Sequence, residues 1–281
     1  MQIIETLDEL ELYLDCAKTL GKSIGFVPTM GALHRGHASL IEASKAQDDL
    51  TICSIFVNPT QFNEASDLEK YPRTPERDAL MLQILRTDVL FLPEASEIYP
   101  ESEAPIPDFR LTQLANVLEG HYRPGHFDGV IQVMYRLLTL MQADRVYMGL
   151  KDFQQQAIIA AMLEQMEVNT ALVPCPIIRE VDGLAMSSRN MRLTKDQRTK
   201  LAPMLHETLL SAKKQWDNRK AMDEIQKAAI SKLEAAGFKV DYFEMVNAKT
   251  LQPASNFNES TRACVAAWLG EVRLIDNFEF A

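Results

Sequence analysis

Runs of basic residues, paired cysteines and long apolar stretches are all missing from this sequence of 281 residues. No five Lys or Arg residues follow one another, and the formal net charge is −10, from 39 acidic against 29 basic residues. An extended nucleic-acid-binding surface needs clustered positive charge and is not expected. No apolar run approaches the ~20 residues that cross a bilayer, and residues 1–5 lack a basic start followed by an apolar stretch. These absences predict a cytoplasmic protein with neither a nucleic-acid nor a membrane partner.

Cysteine is also scarce, with four residues at positions 16, 53, 175 and 264 that form no CxxC pair. Neither a zinc site nor a disulfide framework is predicted, because both need cysteines at short, regular spacings. We expect buried, reduced thiols instead. No internal repeat of fixed period occurs either, which excludes solenoid folds.

What the sequence contains is an alternation of apolar, β-branched segments with segments of helical periodicity. The predicted strands cover residues 24–27, 51–57, 88–92, 146–148 and 170–173, and the last is expected to end at Pro174. The predicted helices begin after Thr6 and near His37, and then cover residues 75–86, 128–141 and 152–166. Strands that alternate with helices form right-handed crossovers into a parallel sheet. Residues 1–183 are therefore predicted to form a doubly wound, Rossmann-like α/β domain with a mainly parallel sheet.

Residues 184–281 show a different pattern. Helical periodicity at 194–215 and 219–236 precedes apolar runs at 240–246, 263–268 and 272–275. This predicts a smaller C-terminal α+β domain. In open α/β sheets, ligands bind beyond the carboxyl ends of the strands, so we expect the functional site in the first domain.

The most informative segment, PTMGALHRGH at residues 28–37, follows the first predicted strand. A helix N-terminus offers N–H groups and the positive end of the helix dipole, and Gly36 lets a phosphate approach the backbone closely. His34 and His37 flank that glycine, and both imidazoles can donate to phosphate oxygens. Without the preceding strand, a helix cap or a metal site would be equal alternatives. With it, phosphate binding is favoured.

Two further segments carry polar side chains in loops. FVNPTQF at residues 56–62 places the amides of Asn58 and Gln61 beyond the second strand, where amides bind hydroxyls and carboxylates without adding charge. From the residues alone, an ordinary loop is the stronger interpretation. HYRPGHFDGV at residues 121–130 contains Arg123, which could equally pair with any surface carboxylate, and His126, for which a structural role is an equal alternative.

The segment GLKDFQQ at residues 149–155 lies between a strand and a helix. Gly149 allows close backbone approach, Lys151 supplies a positive charge, and Gln155 lies one turn into the helix. The segment MSSRN at residues 186–190 offers two hydroxyls and a guanidinium, which suit a triphosphate, and such a loop can close over a nucleotide. A solvated linker is the alternative there.

Taken in order, these motifs resemble the pantothenate synthetase family, within the HxGH nucleotidylyltransferase superfamily. The resemblance covers residues 1–195, and GLKD departs at Leu150 from the commoner GEKD of the family. It implies ATP-dependent condensation of pantoate with β-alanine to pantothenate through a pantoyl adenylate, with release of AMP and pyrophosphate. It also implies Mg²⁺ accompanying ATP as a substrate, and a homodimer.

The resemblance further implies roles for individual residues. His34, His37 and Lys151 would be catalytic, and His37 resembles the assigned proton donor of the family. The implied ATP-binding residues are Met30, Gly31, Ala32, Leu33, His34, Arg35, Gly36, His37, Gly149, Leu150, Lys151, Asp152, Ile178, Met186, Ser187, Ser188 and Arg189.

The two small acids would be bound by amides. The resemblance implies that Gln61 binds both pantoate and β-alanine, and that Gln155 binds pantoate. Asn58 and Arg123 are further candidates.

Three alternatives remain open. A nucleotidylyltransferase that makes a dinucleotide or a CDP-alcohol could use the same HxGH core. A catalytically silent nucleotide-binding protein could retain the same loops, with Leu150 marking lost chemistry. A fragment of a tRNA synthetase is disfavoured by the acidic charge and by the lack of a basic anticodon-binding region.

Overall fold

The computed structural model describes residues 1–62, 65–100, 109 and 113–281. The chain folds into two compact units. The first comprises the described parts of Met1–Leu111, Pro124–Leu150 and Ile158–Pro176, and the second those of Thr112–Arg123, Lys151–Ala157 and Ile177–Ala281. The predicted domain boundary after residue 183 stays a prediction.

The first unit is built on a parallel sheet. The described residues form six strands in it: β1 (Gln2–Ile4), β2 (Ile24–Thr29), β3 (Leu50–Ile55), β4 (Val89–Phe91), β5 (Arg145–Gly149) and β6 (Ala171–Cys175). Their order is β1-β4-β3-β2-β5-β6 and every pair is parallel. The predicted doubly wound α/β fold is confirmed. The strand order reverses between β2 and β5, where such sheets bind ligands.

The helices of the first 165 residues are α1 (Leu7–Thr19), α2 (Arg35–Lys45), α3 (Ala65–Glu69), α4 (Pro75–Ile84), α5 (Ala95–Ile98), α6 (Leu118–Tyr122), α7 (His126–Met141) and α8 (Phe153–Gln165). The central strands are mostly apolar and are buried along most of their length, as expected where helices cover both faces of a sheet. One buried cluster takes a side chain from each of β2 to β6: Val27, Cys53, Leu90, Tyr147 and Cys175. Burying a large apolar side chain contributes roughly 1.5–3 kcal/mol, so this cluster fixes the strands on which the site is mounted.

The second unit contains a smaller, antiparallel sheet. Its strands are β7 (Lys239–Asn247), β8 (Thr261–Leu269) and β9 (Val272–Glu279), in that order among the described residues. Helices α9 (Met204–Asp217) and α10 (Met222–Ala235) precede them. Side chains of both helices and all three strands share one buried cluster, so the predicted α+β character is confirmed.

Several predicted details are wrong. Strand β6 continues through Pro174 to Cys175, because β6 lies at the sheet edge, where a missing N–H is tolerated. Helix α2 begins at Arg35, two residues before His37, because His34 caps it. The predicted helix 194–215 is interrupted at Pro203, before which the chain forms a π-helical turn. Cys16 is exposed, whereas the other three cysteines are buried as expected. The short edge strand β1 was not predicted.

No helix among the described residues is both long enough and apolar enough to span a membrane.

Helix α6 is held to the C-terminal sheet by a buried ion pair. Arg273 of β9 donates to both carboxylate oxygens of Glu119, at 2.6 and 2.9 Å, and the Tyr242 hydroxyl donates to the same carboxylate at 2.8 Å. Burial alone would raise the pKa of Glu119. The hydrogen bonds and charge of Arg273, with the charge of Arg123 and the hydrogen bond from Tyr242, outweigh burial and lower that pKa below its ordinary value.

We predict that Glu119→Gln lowers the free energy of unfolding at pH 7 by about 3 kcal/mol, the low end for a broken buried pair, because Asp241 still partners Arg273. A carboxylate with a lowered folded-state pKa stabilises the fold above its unfolded-state pKa of about 4.3. That stability is lost as the pH falls through the folded-state pKa. The gap in free energy of unfolding between wild type and variant should therefore shrink below about pH 4.

Urea denaturation at pH 7 and at pH 3.5 measures this gap. The two tryptophans of the chain, Trp216 and Trp268, both lie in the second unit, so their fluorescence reports its unfolding. Asp223→Asn is the matched control, because the exposed carboxylate of Asp223 forms a surface pair with Lys227 across one helical turn, and its midpoint should match wild type. A gap that stays constant with pH would contradict the assigned role of Glu119.

Candidate active site

His34 and His37 close the first turn of α2 with a reciprocal cap. The Nδ1 of His34 accepts from the Gly36 N–H at 3.1 Å, and the Nδ1 of His37 accepts from the His34 N–H at 3.3 Å. The ring centroids lie 4.1 Å apart, with the planes tilted by 31°. A ring nitrogen that accepts a hydrogen bond carries no proton, so the proton of each neutral ring lies on Nε2. The cap thus makes Nε2 of both rings a donor. This tautomer can bind phosphate oxygens.

The turn before His34 is tightly constrained. Gly31 and Ala32 both have positive φ, at 79° and 48°. The side chains of Ala32 and Leu33 are buried, and their N–H groups donate to the carboxylate of Asp78. Arg35, by contrast, is exposed. The predicted ATP contacts of these residues stay predictions.

Two predicted amides meet in the first unit. The Nδ2 of Asn58 donates to Oε1 of Gln61 at 3.2 Å, and the Nε2 of Gln61 donates to the sulfur of Met30 at 3.0 Å. Asn58 is 1% exposed and accepts the hydroxyl of Tyr99 at 3.0 Å. Burial raises the pKa of Tyr99 to about 12, so this hydroxyl remains a donor at neutral pH. The structure therefore brings Asn58, Gln61 and the HxGH-bearing loop together.

The start of α7 fixes the backbone of Gln61. The Nδ1 of His126 lies 2.7 Å from the Gln61 carbonyl oxygen, and Asn58 donates to the Gly129 carbonyl at 3.1 Å. A Cβ at Gly129 would lie 2.4 Å from the Thr60 carbonyl oxygen and 2.7 Å from the Gln61 nitrogen. Only glycine permits this approach. The HFDGV motif thus has a positioning role that the sequence alone left undecided.

Gly149 and Leu150 lie where β5 ends. Strand β5 neighbours β2, so these residues reach the same edge of the sheet as the loop that follows β2. A Cβ at Gly149 would meet no heavy atom within 4 Å in the described part of the chain. The backbone there can be approached closely.

Lys151, Asp152 and Gln155 belong to the second unit. The Nζ of Lys151 lies 3.6 Å from Oδ2 of Asp152, and the Lys151 carbonyl accepts from Asn277 at 3.0 Å. Gln155 is half-buried. Its neighbour Gln154 is buried and bonds three backbone groups of α6 and the segment before it. Of these two glutamines, Gln154 is committed to structure.

A short hairpin pairs two of the predicted ATP-binding residues. The Met186 N–H donates to the Ile178 carbonyl at 3.0 Å, so these residues lie opposite one another. Arg179, next along the chain, donates to both oxygens of Asp276 in β9, at 2.7 and 2.9 Å. This ion pair anchors the hairpin to the sheet.

The SSRN segment continues from that hairpin as a 3₁₀ helix. Ser187 is the N-cap residue, and its hydroxyl accepts from the Arg189 N–H at 3.3 Å. Ser188 and Asn190 are buried, and Asn190 donates to the Ala185 carbonyl at 3.0 Å. The segment is therefore an ordered turn rather than a solvated linker.

Arg123 follows α6 directly and lies 3.7 Å from the Glu119 carboxylate, with 21% of its side chain exposed. This placement fits an ion pair with Glu119, and the candidate binding role of Arg123 stays a prediction.

Sequence patterns did not identify Asp78, Tyr99 or Gly129. Asp78 and Tyr99 lie in no motif, and no local pattern distinguishes them. Gly129 stands in the HFDGV segment, where a glycine three residues after the histidine was the available signal.

Comparisons with known proteins agree over the whole chain. A family model described as pantoate-β-alanine ligase matches residues 2–279. A pantothenate synthetase of Bacteroides thetaiotaomicron is 42% identical over 283 aligned residues, which cover 100% of this chain and 99% of the relative. A crystal structure of pantothenate synthetase from Thermus thermophilus has a TM-score of 0.93 at 39% identity, and covers 100% of this chain and 99% of that one.

A further solved structure contains bound ligands. The pantoate-β-alanine ligase of Francisella tularensis, complexed with β-γ ATP and β-alanine, has a TM-score of 0.83 at 36% identity, over 100% of this chain and 98% of that one. With a matching family model over nearly its full length, a doubly wound sheet and a capped histidine pair at the end of β2, this chain belongs to the pantoate-β-alanine ligase family.

Proposed function

We propose that this chain uses ATP to condense pantoate with β-alanine, and forms pantothenate, AMP and pyrophosphate. The observation that carries the proposal is the reciprocal histidine cap, which leaves Nε2 of both rings as a donor beyond the carboxyl end of a central strand. Family membership supports the same reaction. So does the relative that binds ATP and β-alanine.

The reaction has two balanced steps. A pantoate carboxylate oxygen attacks the α-phosphorus of ATP, and the bond to the leaving pyrophosphate breaks. The amine of β-alanine then attacks the acyl carbon, loses a proton and displaces AMP. Negative charge builds on phosphate oxygens in the first step, and preorganised donors stabilise such charge most when they need no reorganisation. We assign that task to His34 and His37.

Gln61 is proposed as the ligand of both small acids. Its amide is held between Asn58 and Met30, and its backbone is held by His126. An uncharged amide can bind a hydroxyl or the carboxylate of pantoate, and the carboxylate of β-alanine, without adding charge to the site. Gln155 is proposed as a second pantoate ligand.

The remaining predicted ATP ligands are retained as proposals. In the second unit, Lys151 and Arg189 supply positive charge, and Ser187 and Ser188 supply hydroxyls that suit phosphate oxygens. Leu150 contributes no charge where an acidic residue is commoner, so its part in binding would come from the backbone.

Mg²⁺ is proposed to accompany ATP. The described residues contain no group of three or more His, Cys, Asp and Glu side chains that could hold a metal ion. Mg²⁺ commonly binds substrate phosphates and waters with few protein ligands, so phosphate oxygens suit it here. When bound, it would supply positive charge to the triphosphate. A homodimer, a cytoplasmic location and the absence of a nucleic-acid partner also stay proposals, supported by the family resemblance and the acidic charge.

We predict that His37→Ala lowers pantoate-dependent pyrophosphate release by about 10²-fold or more, as loss of a preorganised donor does. The assay follows pyrophosphate from ATP with pantoate alone, and then product mass after β-alanine is added. His37→Asn is the matched variant, because Oδ1 can replace the Nδ1 acceptor of the cap while no atom replaces Nε2. It should keep the thermal midpoint of wild type and be as inactive as the alanine variant.

An active His37→Asn enzyme would show that the cap, not the Nε2 donor, is what matters. Absence of pantoate-dependent pyrophosphate release in wild type would contradict the ligase proposal itself. Pyrophosphate release with a nucleotide or phospho-alcohol in place of pantoate would favour a nucleotidylyltransferase.

We also predict that Gly129→Ala raises the KM for pantoate and for β-alanine, because the added Cβ must displace the Thr60–Gln61 backbone. A displacement near 1 Å can lower turnover by about 10²-fold. The KM for ATP should change less than the KM for either acid, since the displaced backbone carries Gln61 and not the histidine pair. Steady-state kinetics with each substrate varied in turn measures this, and unchanged KM values for both acids would contradict the positioning role.

A further inference from the structure

We infer that Asp78 is a positioning residue for ATP, acting through the turn that carries the histidine pair; this inference rests on the proposed function. Asp78 lies in the first turns of α4 and is 1% exposed. Its Oδ2 accepts from the Ala32 N–H and its Oδ1 from the Leu33 N–H, both at 2.8 Å. Hydrogen bonds to an ionised acceptor are roughly twice as strong as neutral ones. One carboxylate therefore binds two consecutive peptide groups of a segment 46 residues away in sequence.

The turn that Asp78 binds is one the chain would not hold unaided. Gly31 and Ala32 have φ of 79° and 48°, and a non-glycine residue in the left-handed region persists only where its surroundings over-determine it. A Cβ at Gly31 would lie 3.0 Å from the Ile55 side chain and 3.1 Å from Oδ2 of Asp78. The turn is thus packed closely against the carboxylate as well as bonded to it.

Thr74 supports the contact between the Asp78 carboxylate and the turn. It occupies the N-cap position of α4, yet among the described residues its hydroxyl makes no capping bond to the helix. It donates to Oδ1 of Asp78 at 3.0 Å instead. An aspartate early in a helix commonly stabilises its own helix dipole. Here both oxygens of Asp78 accept hydrogen bonds from the turn before His34, and Thr74, the N-cap residue, orients the carboxylate.

A displacement of this turn would be transmitted directly to the histidine pair. Leu33, the second peptide group bound by Asp78, directly precedes His34, the N-cap residue of α2. The Nδ1 atoms of both histidines are already committed to the cap. A shift of the turn therefore moves both Nε2 atoms together with the start of α2. Catalytic donors misplaced by about 1 Å lose much of their effect.

The test is Asp78→Asn, which keeps the shape of the side chain but puts an NH₂ group against one of the two peptide N–H groups. We expect the KM for ATP to rise and the rate of pantoate-dependent ATP–pyrophosphate exchange to fall, each by about 10-fold. The KM for β-alanine should stay at its wild-type value. Calorimetry with ATP and Mg²⁺, without pantoate, should show a Kd raised by a similar factor.

Asp48→Asn is the matched control. Asp48 is an equally buried carboxylate of the first unit, at the amino end of the strands, where it accepts from Arg145 and Tyr147, each at 2.6 Å. Its loss should lower the thermal midpoint and leave the KM and Kd for ATP unchanged. If Asp78→Asn behaves in the same way, Asp78 is structural only and the inference is overturned.

A second variant covers the case in which Asp78→Asn does not fold. Thr74→Val keeps the carboxylate but removes one of its hydrogen bonds, and we expect a rise of about 3-fold in the Kd for ATP, smaller than for Asp78→Asn because both bonds to the turn remain. An unchanged Kd in a folded Thr74→Val protein would overturn the inference. Because the Kd for ATP is measured without pantoate, the inference survives or fails independently of whether ligation is observed.

Discussion

The first turn of every α-helix leaves backbone N–H groups without partners inside the helix, and α2 meets this need with imidazoles. Serine, threonine and aspartate usually cap helices, but none of them carries an N–H donor on the far side of the capping group. A histidine that accepts through Nδ1 retains Nε2 as a donor on the far side of the ring. Under the proposed function, capping and phosphate binding use opposite edges of the same two rings, and the HxGH spacing follows from the positions of the N-cap and N3 residues.

Around this cap, the first unit uses buried polar side chains to hold segments that have little regular structure. Asp78 binds the turn before His34, and Asn58 joins the segment of Gln61 to the start of α7. Buried polar groups are costly unless every partner is present. Each of these side chains therefore specifies one arrangement of its loop. In the second unit, Glu119 has the same role, because Arg273 of β9 and Tyr242 of β7 hold it against the antiparallel sheet.

Local patterns predicted most elements because strands buried on both faces are apolar throughout and helices repeat at 3.6 residues. They failed where tertiary position decided the outcome. Pro174 is compatible with a strand only because β6 is at an edge, and β1 is a strand only because β4 offers it a partner. A three-residue segment has too little pattern of its own to be recognised.

The sequence by itself determined the alternating α/β order, the position of the HxGH segment after β2 and the resemblance to a ligase family, because these depend on neighbours in the chain. The tertiary structure alone decided that Asp78 holds the turn before His34, that Gly129 must lack a side chain, and that Gln154 rather than Gln155 is committed to structure. Each of those outcomes depends on a contact between segments separated by tens of residues. Such contacts form only when the sheet brings the segments together, and no periodicity or spacing in the sequence encodes which partners will meet.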